Sequence, residues 1–192
     1  MSYIETPPDY HFPWYVRLFL ANQRRRYGCE LEPARLWGRS PKVFAGLSVL
    51  YGAIDRKSSP IEPALRTLIT VLVSQINWCA FCVDLNSATG LKRGLTKAHL
   101  AALHEFEVSP LFDERIKAAL AYAVAITVTG TKVDANLIAR LKNHFNDDAI
   151  IELTALIAFQ NLSSKFNSAL DVAAQGFCNI PPPSNNKAEN QG

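Results

Sequence analysis

A chain of 192 residues is long enough for one domain with a substantial core and short for two, and a formal net charge of +3 with 19% charged residues is too small to announce a nucleic-acid partner. The longest apolar runs, such as "AALAYAVAI", fall well below the roughly 20 residues that span a bilayer. "MSYIETPPDY" lacks the basic start and apolar stretch of a signal peptide, and four cysteines are too few for a disulfide scaffold. These features point to a cytoplasmic protein with no membrane and no nucleic-acid partner.

Residues 1–12, with "TPPDYHF", read as an irregular lead-in because each proline disfavours helix at the residue before it. Pro13 then opens a helix through "WYVRLFLANQRRRYG" that stops at Gly28. Trp14, Leu18 and Phe19 share one face of it, and Arg24, Arg25 and Arg26 make a basic end suited to the negative helix C-terminus. "LEPARLWGRSP" comes next. Helical periodicity follows over 41–54, 61–76, 78–93, 96–106, 112–127, 133–144 and 147–175, with Thr96 as an N-cap and "TGTKVD" as a separator. Alternating strand patterns are missing between these segments, so the expected fold class is all-α: a single domain of packed helical hairpins over 13–177. The ending "CNIPPPSNNKAENQG", 178–192, is proline-rich and then polar, and is expected to be a disordered tail or an extended arm.

The segment "SQINWCAFCVDLN", 74–86, carries the chemistry. Cys79, Cys82 and Asn86 stand at i, i+3 and i+7, so they share a helical face from which Asp84 points away. With Asn77 as the cap, Cys79 falls in the first turn, where unpaired N–H groups and the helix dipole favour a thiolate. Such a thiolate attacks a peroxide or a disulfide, and a second cysteine one turn on resolves the product. The same apolar surroundings also suit an inert pair of small core residues. A zinc site would want four ligands, and no second C-x-x-C or close histidine pair accompanies this one; no metal and no cofactor are expected. Cys29 and Cys178 lie outside the motif as isolated thiols.

"PALRTLITVLVSQINWCAFCVDLNSA", "PLFDERIKAALAYAVAIT" and "NDDAIIELTALIAFQNLSSKFNSAL" together resemble the carboxymuconolactone decarboxylase-like superfamily, and within it the alkylhydroperoxidase D-like branch. The resemblance covers roughly residues 60–172 and is most specific in the helix–C-x-x-C–helix segment. It implies an all-α fold of helical hairpins assembled as a homo-oligomer, a trimer or hexamer. It also implies reduction of a hydroperoxide by the cysteine pair, with electrons from a dithiol donor. By this analogy Cys82 is the peroxidatic thiol and Cys79 its partner, whereas the helix-dipole argument reverses the roles. The branch also has a histidine four residues after the second cysteine and a glutamate twelve before the first; here those positions hold Asn86 and Thr67, neither of which acts as a base near neutral pH. His99, His104 and His144 are the histidines the fold could bring in as a substitute, and Asp84 is the nearest carboxylate. Asn161 matches a family asparagine and reads as a helix-packing polar residue.

Three functions follow. A thiol-dependent peroxidase or disulfide oxidoreductase, slowed by the two departures, uses Cys79 and Cys82. A lactone decarboxylase would instead use Arg66 to hold a substrate carboxylate. A non-enzymatic oligomeric binding protein would keep the fold and leave the cysteines inert. Trp14, Phe19, Trp37, Phe44 and Trp78 offer more aromatic surface than one small helical core hides, which again points to self-association.

Overall fold

The computed structural model describes residues 2–178, so all but the first residue of the expected C-terminal tail lies outside the described residues. Helices α1 (Trp14–Tyr27), α2 (Glu32–Gly38), α3 (Pro41–Ile54), α4 (Pro63–Ile76), α5 (Ala80–Lys92), α6 (Lys97–Ala101), α7 (Glu114–Thr127), α8 (Ala135–Lys142) and α9 (Asp147–Ala169) follow in order, with a 3-10 turn at Ala102–Glu105. No strand occurs among the described residues, and the fold is all-α. None of their helices is long and apolar enough to cross a membrane.

Helix starts follow local chemistry. Proline occupies the first turn of α2, α3 and α4, where its missing N–H costs nothing. Asp113, Asp134 and Asn146 each accept a backbone N–H three residues on, and Thr96 forms a capping box with His99. Proline in the first turn also starts the short helix over "EPARLWG", ahead of the periodic segments expected from the sequence: α2 buries Ala34 and Leu36. At Gly38 an added Cβ would lie 2.9 Å from Val16 Cγ1 and 3.0 Å from the Phe12 ring, so α2 packs on α1 at a distance only glycine allows.

The core has two parts. The larger surrounds α4, which is buried on nearly every side, from Leu65 to Ser74. Leu68, Ile69, Val71 and Leu72 meet Leu103, Leu120, Leu153 and Ile157, while Ala118, Ala119 and Ala123 let α7 approach closely. The smaller part is built by α1, α2 and the start of α3 on the first turn of α5: Val16, Leu20, Leu31, Ala34, Leu36 and Phe44 enclose Cys79, Phe81 and Cys82. Of the five aromatics expected at element surfaces, Phe44 is buried against Phe19 and Trp37 stacks on Phe166 at 3.5 Å. Trp14 and Trp78 remain about three-quarters exposed.

The last helical segment is shorter than its periodicity suggests. It ends at Ala169 rather than near 175, because Asp171 turns left-handed at φ 53°, its N–H bonds to Ser168 O, and Val172 N–H bonds back to Asn167 O. This Schellman ending places Asp171 where glycine is usual. The chain beyond it, 172–178, runs as a non-helical strap across α5.

Candidate functional site

The turn between α4 and α5 fixes the cysteines. Trp78, at φ 58°, is the left-handed residue of a second Schellman ending: its N–H bonds to Gln75 O and Cys79 N–H bonds to Ser74 O. A bulky residue in that conformation costs about 1 kcal/mol. The capping residue of α5 is therefore Cys79 and not Asn77, whose side chain is used elsewhere. Cys79 Sγ accepts the N–H of Cys82 at 3.1 Å, which is the bond a serine or aspartate cap would make. Cys79 and Cys82 are joined as a disulfide with Cα atoms 5.2 Å apart, and they are 1% and 4% exposed.

One polar side chain reaches this pair, and a second, on the same helix as Cys82, points away from it and ties down a neighbouring segment. Asn167, in the last turn of α9, donates from Nδ2 to Cys82 Sγ at 3.2 Å, is 1% exposed, and leaves its Oδ1 without a donor. Asp84 is buried and holds the strap. Its Oδ2 accepts the N–H groups of Gln175, Gly176 and Phe177 at 2.9, 2.7 and 3.0 Å, and its Oδ1 accepts that of Cys178 at 2.6 Å. Phe177 then packs on Tyr27 and Phe81. Gln175 fastens the strap to the α1–α2 junction, accepting Glu32 N–H at 3.0 Å and donating to Glu30 O at 3.2 Å. The strap thus covers the helix turn that carries the cysteines.

The other residues expected at the site lie at different points. Asn86 is half-buried on α5, one turn beyond Cys82, and makes no side-chain hydrogen bond among the described residues. Thr67 is 2% exposed and seven residues before Ser74 on α4, about 10 Å along the axis. Its hydroxyl donates to Pro63 O and accepts from Arg93 at 3.3 Å, and its methyl abuts the space a Gly90 Cβ would fill. Arg66 is 4% exposed and faces away from the cysteines, donating to Arg56 O at 3.0 Å and lying 3.4 Å from Asp55, which Arg93 also grips with two bonds. His104 and His144 are exposed, and His99 caps α6 beside Phe112 of the larger core; these three do not join the cluster around the cysteines. Asn161 bridges helices as read, donating to Thr127 and accepting from Asn77. No group of three metal-ligating side chains occurs among the described residues.

Asn167 is the residue that sequence reasoning passed over. It lies in the quoted stretch "SSKFNSAL", but its partner is 85 positions away, and nothing local distinguishes it from a solvent-facing asparagine at a helix end.

The carboxymuconolactone decarboxylase family model matches residues 41–125. An uncharacterized protein, YnjA, from Escherichia coli (strain K12) is 43% identical over 175 residues, spanning 91% of this chain and 96% of that protein. Among solved structures, the alkylhydroperoxidase AhpD core of an uncharacterized peroxidase-related protein from Ralstonia eutropha JMP134 superimposes with a TM-score of 0.81 at 18% identity, over 92% of this chain and 94% of that one. The debrominase Bmp8 superimposes with a TM-score of 0.75 at 21% identity, over 85% and 88%.

Proposed function

Because the chain belongs to the carboxymuconolactone decarboxylase family and carries a capped cysteine pair at the start of α5, we propose that it is a thiol-dependent oxidoreductase that cycles Cys79 and Cys82 between dithiol and disulfide. The observation that supports this most is the placement of Cys79 as the cap of α5. A sulfur there receives a backbone N–H and the positive end of the helix, both of which favour a thiolate.

In this reading a thiolate of the pair attacks a hydroperoxide oxygen. An S–O bond forms, the O–O bond breaks, and the departing alkoxide takes up a proton to leave as an alcohol. The second thiol then displaces hydroxide, which leaves as water with that thiol's proton, and the S–S bond forms. A dithiol donor supplies two electrons and two protons, becoming a disulfide itself. Such a cycle suits the cytoplasm, where dithiol reductants are available. Lactone decarboxylation is the weaker reading, since Arg66 is already engaged by Asp55 and the Arg56 carbonyl.

Asn86 and Thr67 supply no proton relay, and a positioned general acid/base typically contributes about 10²–10⁴-fold. Turnover of an alkyl hydroperoxide is therefore expected to be slow and to rise in Asn86→His, which places an imidazole one turn beyond Cys82. The decisive measurement is intact mass with thiol counting after mild peroxide: two thiols should disappear and return with a dithiol reductant. Two thiols that stay unoxidised in folded protein would leave the pair a core element only.

Self-association as a trimer or hexamer belongs to the same proposal. It is supported by α3, whose Val43, Val49, Leu50 and Tyr51 are 45–75% exposed along one helix. A monomeric mass by light scattering would remove it.

A further inference from the structure

The buried amide of Asn167 has no evident structural purpose of its own. Its carbonyl oxygen is enclosed and receives no hydrogen bond, a state that costs a folded protein free energy and that an apolar side chain of similar size would avoid. Its Nδ2, by contrast, points at Cys82 Sγ from 3.2 Å. Its backbone is also held in place: Asn167 lies two residues before Ala169, the last residue of α9, and its carbonyl accepts Val172 N–H at 2.9 Å, where the strap begins. An amide enclosed beside a sulfur, and satisfied only toward that sulfur, is arranged for the state in which the sulfur needs a donor most.

On this basis, and resting on the redox reading above, we propose that Asn167 is the thiolate-stabilising donor of Cys82, making Cys82 a second ionisable sulfur of the pair beside the helix-capping Cys79. A dithiol donor that opens the disulfide delivers two electrons and two protons, giving two thiols; one of them can then release its proton to solvent and rest as thiolate only if something replaces the hydration it lacks at 4% exposure. Cys79 has the Cys82 N–H for that purpose. Cys82 stands on α5 with its own N–H turned to Cys79, so its donor must come from another element, and α9 provides it. The N–H donated to sulfur stabilises the charged form and lowers the pH at which Cys82 ionises. The histidine-free site then still holds one ready nucleophile, although it lacks a base to move protons.

The test uses the full chain with Cys79→Ser, which keeps an oxygen cap on α5 and leaves Cys82 the one thiol of the site. Its ultraviolet thiolate absorbance is followed against pH, with Cys79→Ser/Cys82→Ser as the blank that removes Cys29, Cys178 and the tyrosines. Adding Asn167→Leu should move the Cys82 midpoint upward by about one pH unit, and alkylation of Cys82 at neutral pH should slow by about tenfold. Asn167→Asp, which keeps the shape and exchanges the donor for a negative charge, should move it at least as far. Midpoints that coincide in Asn167, Leu and Asp chains, all folded by circular dichroism, would overturn the proposal. If the Leu chain does not fold, the Asp chain decides by the same criterion. The parent reading fails differently: in that case the unaltered chain forms no reversible disulfide with peroxide, whatever the Cys82 midpoint does.

Discussion

The two halves of the core are held by different forces. Around α4 the packing is mostly aliphatic, with leucine, isoleucine, valine and alanine from six α-helices, and interior polar bonds such as Gln160 to Ser74 at 2.9 Å run directly from side chain to side chain. Around the cysteines the packing is aromatic and partly exposed, with Phe12, Tyr15, Phe19, Tyr27, Trp37, Phe166 and Phe177 at its rim. Many of the bonds that tie that half together run from side chain to backbone: Asp84 on four N–H groups of the strap, Gln175 on the α1–α2 junction, Gln23 on Leu31 N–H, and Arg35 on the carbonyls of Thr6 and Pro7, while Glu30 pairs with both Arg24 and Arg35. Core helices with many buried contacts open only at a cost approaching that of global unfolding, whereas a short strap held by a few hydrogen bonds can open locally at a lower one. Under the proposed redox cycle, this difference gives a substrate a way to sulfurs that are almost fully enclosed while the scaffold stays intact.

Truncating the larger core should show the greatest effect. Ile157→Ala, at a fully buried position, is expected to lose about 2–5 kcal/mol, visible as a lower urea midpoint, with protection falling in every helix. An equal loss confined to α9 would mean that the core is not one cooperative unit. Asp84→Ala should act locally instead. Hydrogen bonds to a charged acceptor are worth about 1.5–3 kcal/mol, so the amides of residues 175–178 should lose protection from hydrogen exchange while those of α4 and α7 keep theirs. Alkylation of the reduced cysteine pair should also accelerate. Unchanged exchange in the strap would show that the aromatic contacts of Phe177 suffice to hold it.

A smaller effect of opposite sign is expected at the cysteine turn. Trp78→Gly removes an exposed side chain and the left-handed strain, and should raise stability by about 0.5–1 kcal/mol in thermal or urea unfolding. A loss would mean that the indole packs on something the isolated chain lacks, as a second subunit would provide. The smallest effect concerns Glu152, whose carboxyl is held below the usual range chiefly by its hydrogen bonds to Arg56. A lowered carboxylate pKa stabilises the fold above the unfolded value and loses that contribution as pH falls through the folded one. Glu152→Gln should therefore lower the urea midpoint slightly at neutral pH and leave it unchanged at acid pH, in the larger core's periphery and without effect on the cysteines.

The helical class, the positions of most helices and the pairing of Cys79 with Cys82 were legible because each depends on short-range order. Periodicity, proline and acidic caps act within a few residues, and i, i+3 spacing brings two sulfurs within bonding reach of one another. Glycine marked the end of α1 at Gly28, as expected. The ends of α4 and α9 carry no such mark: Trp78 and Asp171 occupy the left-handed position in its place, so the first was read as an Asn77 cap and the second as six further residues of helix. Those two turns decide the site. One makes Cys79 the cap of α5; the other stops α9 at the point where Asn167 faces Cys82 and sends the strap back to Asp84. The sequence by itself determined that a cysteine pair would begin a helix in an all-α chain. Only the tertiary structure decided which groups surround that pair, because the partners of Cys82 and Asp84, on α9 and on the strap, lie 85 to 94 positions away in the chain, beyond the reach of any local pattern.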